Sequence, residues 1–274
     1  MIEIENEATE AVKEVEISYL RIDTGERECK RDLVTVEMPL HLIVNEEHYV
    51  TILSTPTQKR ELAIGHLITE GVVKDLNEIR EIKIDEQKCF ITLRPDVKVK
   101  ERFAIATPFR RVVTSACSTP EEWPLYRLVD RLKIPRVRSK LRVDAKIIAE
   151  AVRGFSTEAT IHAKTGGVHA AAVHNPSGKR VAFSEDVGRH NAVDKAIGMA
   201  LIKNHSLERS FLVSTGRLTG DIALKAARVS IPIVASLAAA LDSGIEVANL
   251  TGLTLIGFVR GNRMNIYTHP ERVI

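Results

Sequence analysis

Cysteine is scarce in this 274-residue chain: Cys29, Cys89 and Cys117 are its only thiols. They are odd in number and widely spaced, so they build neither a disulfide framework nor a C-x-x-C zinc pattern. No structural zinc is expected, and a reducing cytoplasm suits such usage. Aromatic residues reach only 4%, and none interleave with basic runs in the way that stacks bases. Long hydrophobic runs are missing too. The most apolar stretch, IPIVASLAAAL (231–241), contains a proline and falls short of the roughly 20 residues a membrane span needs. The first residues, MIEIENEATEAVKEVEI, are acidic and have no apolar signal-peptide core. G-x-x-x-x-G-K-[ST] and G-x-G-x-x-G are absent, which removes the two commonest phosphate loops. P-C-x-x-C is absent as well, which excludes a zinc deaminase site.

The remainder is ordinary for a globular protein: 44% apolar and 27% charged residues, a net charge of +3 and a pI near 8.7. That balance suits a small anionic ligand and is too weak to argue for nucleic acid. From Val15 the pattern reads as strands: 15–22, 33–44 and 48–53, with a hairpin turn at 45–48. KRELAIGHLITEGVV (59–73) has helical spacing and an end signal at Gly71. Two strands follow at 78–85 and 88–95, then an extended approach over 102–117 to Cys117. The segment 134–155 opens basic (IPRVRSKLR) and turns helical near Val143. Beyond it, strands are expected at 162–175, 179–186, 210–215, 232–236, 254–261 and 263–268, with helices at 188–203, 220–229 and 243–252. Alternating strand and helix predict an α/β sandwich with a mainly parallel core.

Five stretches could carry chemistry. Thr119-Pro120-Glu121-Glu122 reads as a capping box with proline at the first helical position, which puts Cys117 just ahead of a helix N-terminus, where a thiolate or persulfide is stabilised. A small buried hydrophobe is the equal alternative. In TGGVHAAA (165–172), Gly166 and Gly167 allow close backbone approach, and His169 is either an acid–base group or a hydrogen-bonded strand histidine. SEDVGRHNAVDKAIG (184–198) crowds seven polar side chains at a strand-to-helix junction, with Arg189 and His190 placed to meet an anion. STGRLTGD (214–221), with Ser214, Gly216 and Arg217, offers backbone amides to a phosphate. GFVRGNRMN (257–265) turns at Gly261 between Arg260 and Arg263.

Taken together, TGGVHAAAV, EDVGRHNAVDKAIG, STGR, GLTLIGFVRGNRMNIYT and ELAIGHLITEGVV resemble the FdhD/NarQ family of formate dehydrogenase accessory proteins, from about Val15 to Ile274. The resemblance implies a sulfurtransferase that takes sulfur as a persulfide from a cysteine desulfurase. It then passes that sulfur to molybdenum cofactor in the bis(molybdopterin guanine dinucleotide) form, before insertion into formate dehydrogenase. It implies a homodimer and a cytidine-deaminase-like three-layer α/β/α sandwich over 134–274, with a smaller strand-rich α+β region over 14–133. The persulfide cysteine falls on Cys117. The cofactor-contacting segment falls on Phe258, Val259, Arg260, Gly261, Asn262 and Arg263, and a guanine nucleotide is the expected mimic. No nucleic acid or membrane is expected as a partner. One departure stands out: the family's C-G-x-C-G loop reads Cys117-Ser118-Thr119-Pro120-Glu121 here, so Pro120 replaces the second cysteine. A cofactor-binding chaperone without sulfur transfer is the alternative this raises.

Overall fold

The structure, a computed structural model, describes residues 11–103, 129–130 and 132–274. The Cys117 loop, and with it the expected catalytic thiol, lies outside the described residues. The described chain is a mixed α/β protein with three sheets.

The first sheet is a two-stranded antiparallel ribbon of β1 (Val12–Leu20) and β2 (Arg27–Thr35). The second has four strands in the order β4-β3-β6-β5, from β3 (Met38–Val44), β4 (Glu47–Ser54), β5 (Ile79–Asp85) and β6 (Lys88–Leu93). Alternation along these strands sends Leu40, Leu42, Val44, Cys89, Ile91 and Leu93 inward against α1 (Lys59–Thr69). Cys89 is thus core, while Cys29 is exposed on the ribbon. Asn45 and Glu46 both have positive φ, 48° and 68°, as a two-residue hairpin turn whose twist matches its strands requires. The expected single strand over 33–44 is divided between β2 and β3. Its alternation is continuous, so periodicity cannot show the chain leaving one sheet for another. Arg102 and Phe103, expected to begin an extended segment, are helical, in a stretch described over 99–103.

The third sheet has six strands in the order β12-β11-β10-β9-β7-β8: β7 (His169–His174), β8 (Arg180–Asp186), β9 (Phe211–Ser214), β10 (Ile233–Ser236), β11 (Thr254–Arg260) and β12 (Arg263–Ile266). Only β9, β10 and β11 are mutually parallel. The mainly parallel core expected from the alternation is therefore corrected to a mixed sheet. The β7–β8 and β11–β12 connections are tight hairpins, and such links join only antiparallel strands. Alternate strand residues face opposite ways. Ala171, Val173, Leu212, Val234 and Leu255 pack with α5 (Arg189–Ile202), α6 (Gly220–Arg228) and α7 (Asp242–Thr251). Ala170, Ala172, Phe211, Val213 and Ile256 pack with α2 (Ala145–Arg153) and α3 (Phe155–Glu158).

The strand expected from 162 begins only at His169, because residues 160–165 form a short helix, α4 (Thr160–Thr165). The Glu185 carboxylate accepts the backbone N–H groups of Ile161 and His162 at 3.0 and 2.8 Å, satisfying that helix's first donors. Among the described residues, no helix is long and apolar enough to cross a membrane.

The two larger sheets are joined through α1 and α5. A Cβ on Gly65 would lie 1.8 Å from the Asp194 carbonyl oxygen, and one on Gly198 would lie 2.0 Å from that of Glu61. Only glycine permits so close a crossing. Beside it, Lys195 and Asp186, both wholly buried, pair at 2.6 Å. Thr55 binds both: its N–H donates to Asp186 and its carbonyl accepts from Lys195. A second buried group links Lys225 to Asp194 at 2.9 Å and to Glu70 at 2.7 Å, with His66 and Thr69 also on Asp194. Burial works against the charge on Asp194, but Lys225 and His66 prevail and hold its pKa at about 2.

Candidate functional site at the carboxyl edge of the mixed sheet

The loops that follow β9, β10 and β11 leave the same edge of the sheet, the carboxyl edge where open α/β sheets bind their ligands. The antiparallel strands add to it. His169 opens β7 opposite Asp186, the last residue of β8, so both lie at this edge. Residues 214–217, 236–238 and 258–263 supply the three loops.

The first loop is held from within. Ser214 Oγ, buried, accepts the Gly216 N–H at 3.1 Å, and Ser236 Oγ donates to the Gly216 carbonyl at 2.6 Å. A Cβ at Gly216 would stand 2.8 Å from Arg189 Cβ, so this glycine lets the start of α5 lie against the loop. Arg189 and Arg217 come near enough for Arg217, after burial, to lower the Arg189 pKa. Burial, and then Arg189, lower the pKa of His169, whose Nδ1 stands 3.4 Å from Thr215 Oγ1. His190 lies 3.9 Å from Asp221. Burial first, then Lys225 and Arg189, bring His190 down to about 4, while burial raises Asp221. At neutral pH, His169 and His190 are therefore uncharged.

The third loop is the β11–β12 hairpin tip. Phe258 adopts a left-handed φ of 51° at a bulge and donates its N–H to the Ala238 carbonyl. Arg260 Nε donates to the Leu237 carbonyl at 3.0 Å, and its guanidinium lies 5.8 Å from the Phe258 ring centre. Gly261 turns with φ 56°, and Asn262 and Arg263 are exposed. Val259, by contrast, points into the core.

Sequence thus brings His169, Arg189, His190, Ser214, Gly216, Arg217 and the 258–263 tip to one edge. Gly166 and Gly167 have intramolecular tasks. Gly166 ends α4 with φ 66°, and a Cβ on Gly167 would press on Thr35 Oγ1 at 2.7 Å. Ser236, Leu237 and Ala238 escaped notice because their stretch is apolar. The strand–helix alternation was the signal, since each loop after a parallel strand opens here. Other residues of the crowded 184–198 stretch turn inward: Glu185 caps α4, and Asp186, Asp194 and Lys195 join the sheets.

Electrostatically the edge is built for anions. The helices α5, α6 and α7 all start here; Ser243 Oγ accepts the Gly220 N–H of α6 and Asp242 accepts the Ser243 N–H of α7, while α5 has no side-chain cap and keeps its partly positive N-terminus open. Thr219, the residue before α6, has a buried Oγ1 with no hydrogen-bond partner among the described residues. Arg189, Arg217, Arg260 and Arg263 form no ion pair among the described residues. No group of three His, Cys, Asp or Glu there could hold a metal. H-x-E, the other half of a zinc-deaminase signature, is spelled once, at His269-Pro270-Glu271, and there His269 pairs with Glu271 at 3.3 Å.

Comparison with known proteins finds relatives over nearly the whole chain. A protein of Bacillus pumilus named "Sulfur carrier protein FdhD" is 34% identical over 91% of this chain and 93% of its own. Its namesake in Staphylococcus haemolyticus is 31% identical over 93% and 95%. A crystal structure assigned as a formate dehydrogenase accessory protein from Desulfotalea psychrophila matches with a TM-score of 0.77 at 26% identity, over 97% of this chain and 100% of that one. The FdhD/NarQ family profile runs over residues 35–274, taking in all three sheet-edge loops, and the chain belongs to that family.

Proposed function

We propose that the chain is a sulfur carrier, with bis(molybdopterin guanine dinucleotide) molybdenum cofactor as its cargo at the carboxyl edge. The observation that carries this reading is the set of four arginines without ion-paired acids beside the uncapped start of α5. Such an edge suits a ligand with several phosphates. The name carried by the relatives in Bacillus and Staphylococcus supports the sulfur role. Arg189 and Arg217 neutralise one phosphate group, Arg260 and Arg263 another, and Phe258 offers a face to the purine. The domain reading follows: 134–274 as the cytidine-deaminase-like α/β/α unit that binds cargo, 14–133 as the unit that bears the Cys117 loop, and two chains as a cytoplasmic homodimer.

In the first chemical step the Cys117 thiolate attacks the terminal sulfur of a cysteine desulfurase persulfide. The desulfurase cysteine leaves as a thiolate, and Cys117 holds the new persulfide. The outer sulfur then passes to the cofactor before insertion into formate dehydrogenase, with Cys117 leaving as its thiolate and a reduced metal centre of the cargo supplying the two electrons that take that sulfur to sulfide. Intact-mass measurement after incubation with a desulfurase and cysteine tests this. A gain of about 32 Da, one sulfur on a cysteine, is expected in the native chain and absent in Cys117→Ala. No gain in the native chain ends the reading.

Pro120 in place of the family's second cysteine favours a second reading, a chaperone that holds the cofactor without moving sulfur. Cys117→Ala separates them: a chaperone continues to support formate dehydrogenase maturation with alanine, and a carrier does not.

A further inference from the structure

The basic segment that opens 134–155 has no part in the site described above. From Arg136 to Arg142 it belongs to no helix or sheet, and its exposure alternates as along an extended chain. Arg136, Arg138, Lys140 and Arg142 are exposed, while Val137 and Val143 are buried and Ser139 and Leu141 half-buried. The inward residues tie it down. Val137 N–H donates to the Thr251 carbonyl, Ser139 Oγ donates to the Glu208 carbonyl and Ser139 O accepts from Arg272, and Val143 exchanges bonds with Arg272 and Ile274. Thr251 precedes β11 and Glu208 precedes β9, so the segment runs along the amino edge of the parallel strands, opposite the arginine-rich loops.

Two rows are left without partners among the described residues. One is the row of four cations, none of which forms an ion pair among the described residues; alternate residues of an extended chain stand about 6.6 Å apart. The other is the row of backbone amides of Arg136, Arg138, Lys140 and Arg142, which donate to no acceptor among the described residues. A nucleic acid would match the first row but has no use for the second, and no aromatic side chain sits between the cations to stack a base. A lipid surface likewise ignores the amides. An added β-strand uses both: its carbonyls accept from the amide row, and its side chains at alternate positions meet the cations.

We propose that residues 136–142 are a docking edge for an extended acidic segment of a partner protein, one that carries Asp or Glu at every second position. Docking there leaves the opposite edge of the sheet open to its own ligand. The inference is independent of the sulfur-carrier reading.

The test titrates the full chain with a fluorescent ten-residue peptide alternating glutamate and valine, followed by anisotropy. Binding is expected, with at least a tenfold loss in the variant Arg136→Ser/Arg138→Ser/Lys140→Ser/Arg142→Ser. These side chains are exposed, so the variant's circular dichroism and melting temperature should match the native chain's. N-methylation of the peptide at alternate residues, on the register that blocks strand pairing, should also cost tenfold or more. Equal binding of a peptide with its glutamates in one block, of a ten-nucleotide thymidine strand, or of anionic vesicles would overturn the proposal in favour of general polyanion attraction. Absence of binding at low salt would overturn it outright.

Discussion

Lys195 shows how a residue that reads as functional can be architectural. It sits in a stretch crowded with polar side chains, yet it is wholly buried against Asp186 and the Thr55 carbonyl. Removing one partner of a buried pair leaves the other charge stranded, at a cost of about 3–5 kcal/mol. Lys195→Ala should therefore lower stability by that order in urea denaturation, and adding Asp186→Asn should recover part of it. No sequence pattern could assign the pair, because its third member, Thr55, is 131 residues from Asp186. His174 gives a second prediction at this scale. It is buried against Phe211, with rings stacked 5.3 Å apart, and burial, then Arg180, brings it to about 4. Its folded pKa lies below the unfolded value near 6.5, so the unfolded chain binds the proton first. The stability it protects is complete above pH 6.5 and falls as pH drops toward 4, by about 3 kcal/mol in all. Denaturation midpoints measured from pH 7 to 4 should drop, and His174→Phe should flatten that slope.

Elements were legible where their signals are local. The Asn45-Glu46 turn, the α1 helix with its stop at Gly71, and the strand–helix order beyond residue 180 all lie in short-range patterns, and the structure places them within a few residues of expectation. The α4 helix was not legible, because Glu185, which caps it, is a β8 residue more than 20 positions away. Locally, 162–168 has no periodicity to separate a helical turn from a strand approach. Glu185→Ala should leave two helix donors without acceptors, costing about 1–3 kcal/mol. Hydrogen exchange should quicken at the amides of residues 161–166 while α5 keeps its protection. Unchanged exchange there would show that the cap is dispensable. The site was half legible for the same reason: arginines and glycines after strands announce themselves, whereas apolar Leu237 and Ala238, which hold Arg260 and Phe258 through their carbonyls, do not.

At the scale of the molecule, the α1–α5 crossing fastens the two large sheets together. Gly65 and Gly198 bring the backbones into contact, and two buried charge groups flank them. The sheets should therefore melt in one calorimetric transition, and Gly198→Val, whose side chain cannot fit, should broaden or split it. The strand order has a further consequence. β9 and β11 are separated by β10 alone, so the strand ends that carry the Arg217 loop and the Arg260 hairpin stand about 10 Å apart, two strand spacings. The sheet thus acts as a ruler: small ions such as pyrophosphate can occupy the two ends separately, at two per chain, while a molecule long enough to bridge the gap saturates at one. Calorimetric stoichiometry would measure the interval that the hydrogen-bond ladder has set.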